Sequence, residues 1–243
     1  MRSITKSTQP QTVTSVQCAT TTNLATVASA RAAFNQLDKT VVRKALADEQ
    51  GHLCAFCMRA INHTAKDARG QDTTVIAHRT PIKVNHGTAL TWSNLLASCD
   101  GGRRSGTGVE TCDFAQGHAA LTLDPAYAPS VRQLRYGRGD PAAVPPSGEP
   151  KESSDGLHLR TDNPHLRGDI KTLGLNRGDL PQLRATALKA FQFLLRRAHK
   201  PSTWTPATKP TYLTTWKAQH APKLPEYVGV IEAWVAGQNM QCQ

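Results

Sequence analysis

No stretch of this 243-residue chain approaches the run of about eighteen apolar residues that a membrane-crossing helix needs. Acidic side chains are scarce: 18 Asp and Glu stand against 29 Lys and Arg, a formal charge of +11 with a pI near 9.7. Aromatics make up only 5% of the residues. No internal repeat is visible, which argues against a solenoid or propeller. The first thirty residues are rich in Ser and Thr and lack an apolar segment flanked by basic residues, so a secretory leader is not expected and a cytoplasmic location is. The basic excess fits a partner carrying many phosphates, and it fits a solvated basic surface equally well.

Cysteine is also sparse, with six residues, but four of them crowd together: Cys54, Cys57, Cys99 and Cys112. Cys54 and Cys57 form a C-x-x-C pair, a spacing that lets one tight turn aim both sulfurs at one tetrahedral ion. Cys99 and Cys112 complete a four-sulfur set, although the twelve residues between them, DGGRRSGTGVET, far exceed the two to four common in such sites. A Gly-rich loop of that kind can bulge outward while its ends stay put. Buried free thiols are the first alternative; a redox C-x-x-C is the second, and it lacks the usual βαβ setting. The four-cysteine reading predicts a structural Zn²⁺, since a filled sulfur tetrahedron has no open position for water. Cys18 and Cys242 read as spare thiols.

The pattern predicts an α+β chain in three stretches: a polar arm and N-terminal helix over 1–50, a cysteine-stapled module over 51–125, and a loop followed by helices over 126–243. Residues 1–25 read as a loose polar arm. Residues 27–50 read as a helix, with Ala28, Ala32, Leu37, Val41, Val42, Ala45 and Leu46 near helical spacing and Gly51 as its stop. TTVIA at 73–77 is a β-branched strand, TWSNLLASC at 91–99 is an apolar run, and a short helix begins near Cys112. Gly, Pro and Ser from 137 to about 165 indicate a long loop. A helix over 179–199 is capped by Asp179, with Pro181 in its first turn and an apolar stripe of Leu180, Leu183, Ala187, Leu188, Phe191 and Leu195. Shorter helices are expected at 211–220 and 224–236.

Between the two cysteine pairs lie His78-Arg79-Thr80-Pro81, then Trp92-Ser93-Asn94-Leu95, with Asp113 directly after Cys112. Histidine, asparagine and a metal-binding residue in this order, interleaved with the cysteines, resemble the HNH (ββα-metal) nucleases. The likeness extends through CAFCMR, IAHRTP, LTWSNLLASCDGG, CDFAQG and IKTLGLNRGDLPQLR, covering roughly residues 30–200, to the nuclease subunit of Septu-type and retron-associated anti-phage systems. That resemblance implies a zinc-stapled ββα-metal core flanked by mainly helical segments, cleavage leaving 5′-phosphate and 3′-hydroxyl ends, and an ABC-type ATPase partner.

Phosphodiester hydrolysis needs a deprotonated water and a cation to offset charge at phosphorus. A histidine titrates near neutrality, so His78 is the candidate base. Asn94 would pin the neighbouring loop and hold His78 in place. Asp113 would bind one Mg²⁺ or Mn²⁺ through oxygen, and it competes with a reading as a helix cap. The resemblance breaks at Ala77: many HNH nucleases carry an acidic metal ligand there. His118 or Asp100 could supply the missing ligand, His118 standing five residues beyond Asp113. Arg79, Arg103 and Arg104 are candidate clamps on the nucleic-acid backbone. The competing function is a zinc-containing DNA-binding module that has lost its catalytic ion. In a complex, helices over 170–236 would dock on the ATPase.

Overall fold

The computed structural model describes residues 1–19, 22–102, 109–139 and 156–237, and within them the chain is α+β with two small antiparallel sheets. The elements are α1 (Gln11–Cys18), α2 (Val27–Asn35), α3 (Lys39–Glu49), β1 (Thr74–His78), β2 (Leu95–Cys99), α4 (Cys112–Gln116), α5 (Ala128–Arg132), β3 (Arg135–Arg138), β4 (Leu157–Arg160), α6 (Pro164–Thr172), α7 (Leu180–Ala198), α8 (Thr208–His220) and α9 (Val228–Val235). No helix among the described residues is long and apolar enough to cross a membrane.

The first sheet pairs β1 with β2, Thr74 opposite Cys99 and His78 opposite Leu95. Ala77, Leu96 and Ala97 are all fully buried, so β2 is covered on both faces, and α3 and α4 pack against both strands. The strand and the short helix read from the sequence are β1 and α4, and the apolar run over 91–99 supplies the second strand, β2. α4 is brief because Gly117 takes a positive φ of 55°, a conformation that ends a helix at little cost for glycine.

The predicted helix over 27–50 is two helices. The Asp38 carboxylate accepts from the backbone N–H groups of Thr40 and Val41 at 2.9 and 3.1 Å and starts α3 afresh, a capping signal that outweighs the continuous apolar spacing. Val41, placed by that spacing on the inner stripe, is exposed.

The loose arm is also corrected. Met1, Ile4 and Val13 are buried, and polar neighbours tie the segment down. Ser7 O accepts from Trp92 Nε1 at 3.0 Å, and Leu90 O accepts from Gln17 Nε2 at 2.8 Å. Three isolated apolar residues among Ser and Thr form no periodic pattern, yet each finds its own slot in the core.

The long loop over 137–165 contains structure as well. β3 and β4 pair antiparallel, Tyr136 opposite Leu159, and α6 follows, its first N–H groups accepted by Asn163. Residues 140–155, between the strands, lie outside the described residues. α7 runs as the periodicity predicts, with Leu180, Leu188, Phe191 and Leu195 buried. Asp179 makes no side-chain cap to α7; its carboxylate is drawn to the Arg59 guanidinium. Phe191 meets Tyr212, Trp216 and Trp234 at ring centroid distances of 5.5, 5.0 and 6.3 Å, which closes α8 and α9 onto α7. One cluster of buried side chains, from Met1 through Phe56 and Leu96 to Ile231, draws on all three stretches of sequence.

Candidate metal centre and adjoining cleft

Cys54 and Cys57 sit on a knuckle closed by the bridge between Leu53 and Ala60. Cys54 N donates to Arg59 O at 2.8 Å, and Met58 takes the left-handed turn at φ 66°. Cys99 ends β2, and Cys112 opens α4. The base of the loop between them is pinched: Thr111 N donates to Gly101 O at 2.8 Å, and a Cβ at Gly101 would fall 2.1 Å from Thr111 O. The separation in sequence is therefore closed at Gly101, and the two cysteines meet.

All four sulfurs lie within 4.8 Å of one another. Cys54 Sγ is 3.8 Å from Cys112 Sγ, and Cys57 Sγ is 3.8 Å from Cys99 Sγ. A disulfide needs about 2 Å. Metal–sulfur bonds of about 2.3 Å at tetrahedral angles put sulfurs about 3.8 Å apart. These residues thus fit a tetrahedral ion such as zinc, and among the described residues they form the one such group of three or more ligating side chains. Burial opposes a thiolate at Cys54, but hydrogen bonds from Cys112, Cys57 and Cys99 draw it well below the ordinary thiol range. Cys112, bonded to that sulfur and to its neighbours, moves well above it. Four thiolates this close repel one another unless a cation lies between them.

One peptide bond beyond Cys112, Asp113 faces a cleft of about 160 Å³ together with Arg31, His78, Pro81, Lys83 and His118. Three of the residues singled out in the sequence thereby share one site. His78 ends β1, with its ring against the edge of Phe34 at 4.7 Å. Its Nε2 lies 3.0 Å from Ala89 O. A carbonyl only accepts, so Nε2 carries the proton and neutral His78 keeps a lone pair on Nδ1. Burial lowers the pKa of His78; the Ala89 hydrogen bond opposes that shift, and the nearby Lys39 charge adds to it.

Asn94 is buried and does not line the cleft. Its Oδ1 accepts from Thr80 N at 2.8 Å, and its Nδ2 donates to Thr80 O at 3.0 Å and Thr88 O at 3.2 Å. The loop leaving His78 is thus sewn at two points to the one carrying Ala89. Asp113 lies in the first turn of α4, where Thr111 and not Asp113 holds the N-cap position. His118 follows the Gly117 turn, so helical phase does not govern its position: the chain reverses after Gln116 and returns it to the cleft.

Ala77 is fully buried on the sheet, opposite Leu96. Arg79 is taken up elsewhere: its Nη1 donates to Leu121 O at 3.2 Å, and its Nε lies 3.4 Å from Asp124. Asp100 accepts from Gly102 N at 3.3 Å in the turn after Cys99. Arg103, Arg104 and Cys242 lie outside the described residues.

Sequence reasoning missed Arg31 and Lys83, two exposed cations on the walls of the cleft, and Gln116, which is buried and donates through Nε2 to His78 O at 3.0 Å and Arg79 O at 3.1 Å. Gln116 stands three residues after Asp113, on the next turn of α4, which is the one signal that would have marked it. Comparison with protein-family models finds no match, and comparison with curated proteins finds none either.

Proposed function

We propose that this chain is a metal-dependent endonuclease of the HNH (ββα-metal) type, hydrolysing phosphodiester bonds of nucleic acid, with DNA the favoured substrate. The observation that carries this reading is the meeting of His78, its Nδ1 lone pair preserved by the Ala89 carbonyl, with Asp113 and His118 in one cleft. The resemblance of the sequence supports it independently.

In this reading Zn²⁺ fills the four-cysteine centre and fixes the scaffold without entering the chemistry. Asp113 and His118 would hold a catalytic Mg²⁺ or Mn²⁺ through one oxygen and one nitrogen donor. That ion supplies charge neutralisation at phosphorus. His78 Nδ1 takes a proton from a water molecule, whose oxygen forms the new bond to phosphorus. The bond from phosphorus to the 3′ oxygen breaks, and that oxygen takes a proton from solvent. The phosphate stays on the 5′ end. Asn94 and Gln116 hold the backbone on either side of His78 and are positioning residues. Arg31 and Lys83 are suited to the flanking phosphates.

Plasmid cleavage with Mg²⁺ or Mn²⁺, beside His78→Ala, tests this assignment. Cutting by the parent that the variant lacks supports it, and equal cutting by both removes His78 from the role of base. Ala77 favours a second reading, a DNA-binding module without a catalytic ion. Salt-sensitive binding with no cleavage under any divalent ion would select it. An ABC-type ATPase partner and a role in anti-phage defence follow from the resemblance alone. Co-purification with the product of the neighbouring gene tests them.

A further inference from the structure

The stretch from Leu173 to Arg184 takes no part in the cleft, yet it touches both cysteine-bearing arms. Leu173 O accepts from Cys112 N at 2.8 Å. Gly174, at φ +58°, lies so close to the approach to Cys112 that a Cβ there would sit 2.6 Å from Glu110 O. Asp179 pairs with Arg59, two residues beyond Cys57. Asn176 closes the arrangement onto β4, accepting from Leu159 N at 2.7 Å and donating to Leu159 O at 2.9 Å.

Arg184, one turn into α7, is only 1% exposed. It donates to Leu175 O at 2.6 Å, and to Leu157 O and Asn176 Oδ1 at 3.3 Å. All three acceptors are neutral, and no carboxylate pairs with it among the described residues. A buried guanidinium without a counter-charge is costly. Burial lowers the pKa of Arg184 to about 10, and Cys57, Tyr227 and Cys112 oppose that shift.

We propose that residues 173–184 form an outer bracket of the four-cysteine centre: the buried Arg184 pins the turn at Leu175 and Asn176, and the Leu173 carbonyl and Asp179 fix the two cysteine-bearing arms. Metal occupancy and the seating of α7 are then one cooperative event. This rests on the metal reading of the cysteines and not on the nuclease reading.

Co²⁺ is the probe, bound to the full chain, followed by its thiolate-to-metal absorption and titrated against a competing chelator. Arg184→Met weakens Co²⁺ binding by about 10- to 100-fold, the range for outer-shell partners of a metal site. Arg184→Lys recovers part of the loss, and the exposed Lys189→Gln on the same helix changes nothing. Should Arg184→Met fail to fold, the partly exposed pair Arg59→Gln/Asp179→Asn carries the test and also weakens binding. Removing the ion from the parent speeds amide exchange along α7. Binding within twofold of the parent in these variants, or exchange in α7 indifferent to the ion, overturns the bracket. A parent that binds no Co²⁺ removes the metal reading and the bracket with it, whereas absence of nuclease activity touches neither.

Discussion

The carbonyl of Ala89 and Nε2 of His78, 3.0 Å apart, fix which nitrogen of the imidazole carries its proton. Because burial lowers the pKa of this ring, His78 is neutral, and basic at Nδ1, further into acid than a free histidine. The acid limb of the pH–rate profile is expected below 6.5. His78→Ala should cost about 10²–10⁴-fold in rate while circular dichroism and metal content stay those of the parent. The same shift links to stability. The unfolded chain takes up this proton more readily than the folded one, so the contribution is complete above 6.5 and declines as pH falls below it. Melting curves across that range check the sign.

Asn94→Ala removes three backbone contacts from a buried position and leaves Thr80 N without its acceptor. The expected loss is about 1–3 kcal/mol in denaturant unfolding. Cleavage should fall through the rate constant more than through substrate affinity, because the loop that carries Ala89 loosens and His78 is no longer held.

Chelation of the structural ion should unfold the segment around Cys54–Cys57, with a large fall in melting temperature that Zn²⁺ restores. Cys112→Ser should act similarly, and it should also reduce cleavage because Asp113 is its immediate neighbour. Metal analysis of the purified chain, giving one tightly held ion per molecule, is the direct check.

Arg31 and Lys83 both line the cleft, and neither forms an ion pair among the described residues. Replacing both with Gln should weaken DNA binding uniformly across sequences. It should also lessen the slope of the salt dependence by about 0.9 for each phosphate that is no longer neutralised. Thermal stability should be unchanged. Filter binding by the His78→Ala protein at several salt concentrations separates this effect from catalysis.

Ala77→Asp restores the acidic residue that many HNH nucleases carry, yet the side chain at 77 is fully buried opposite Leu96. We expect destabilisation without gain in cleavage, since an isolated carboxylate there has no partner. A rise in Mg²⁺ affinity would show instead that the strand end can turn this position toward the cleft.

Local spacing makes the cysteines, β1 and α4 legible in the sequence, and it places His78 and Asp113 near one another once two strands and a helix are assumed. Helical phase misjudges His118 because Gly117 ends the helix before that residue. Arg31 and Phe34 come from α2, more than forty residues before His78, and nothing in their own neighbourhood marks them. The hairpin β3–β4 is hidden because each strand has four residues, too few for alternation to stand out beside the Gly- and Pro-rich sequence between them. The main core is likewise hidden, since contacts such as Leu224 against Gly51 join distant parts of the chain.

The closure between Gly101 and Thr111 separates two quantities that pattern searches treat as one. Once the base of a loop is joined, the number of residues it contains adds little to the cost of bringing its ends together, about 0.6 kcal/mol for each doubling. Ligand spacing along the chain then stops being a signature of the centre. What identifies it is a glycine able to take a positive φ just after the third cysteine and a backbone donor just before the fourth. Chains whose cysteines look too far apart for a metal should be sorted by that pair, whatever length lies between.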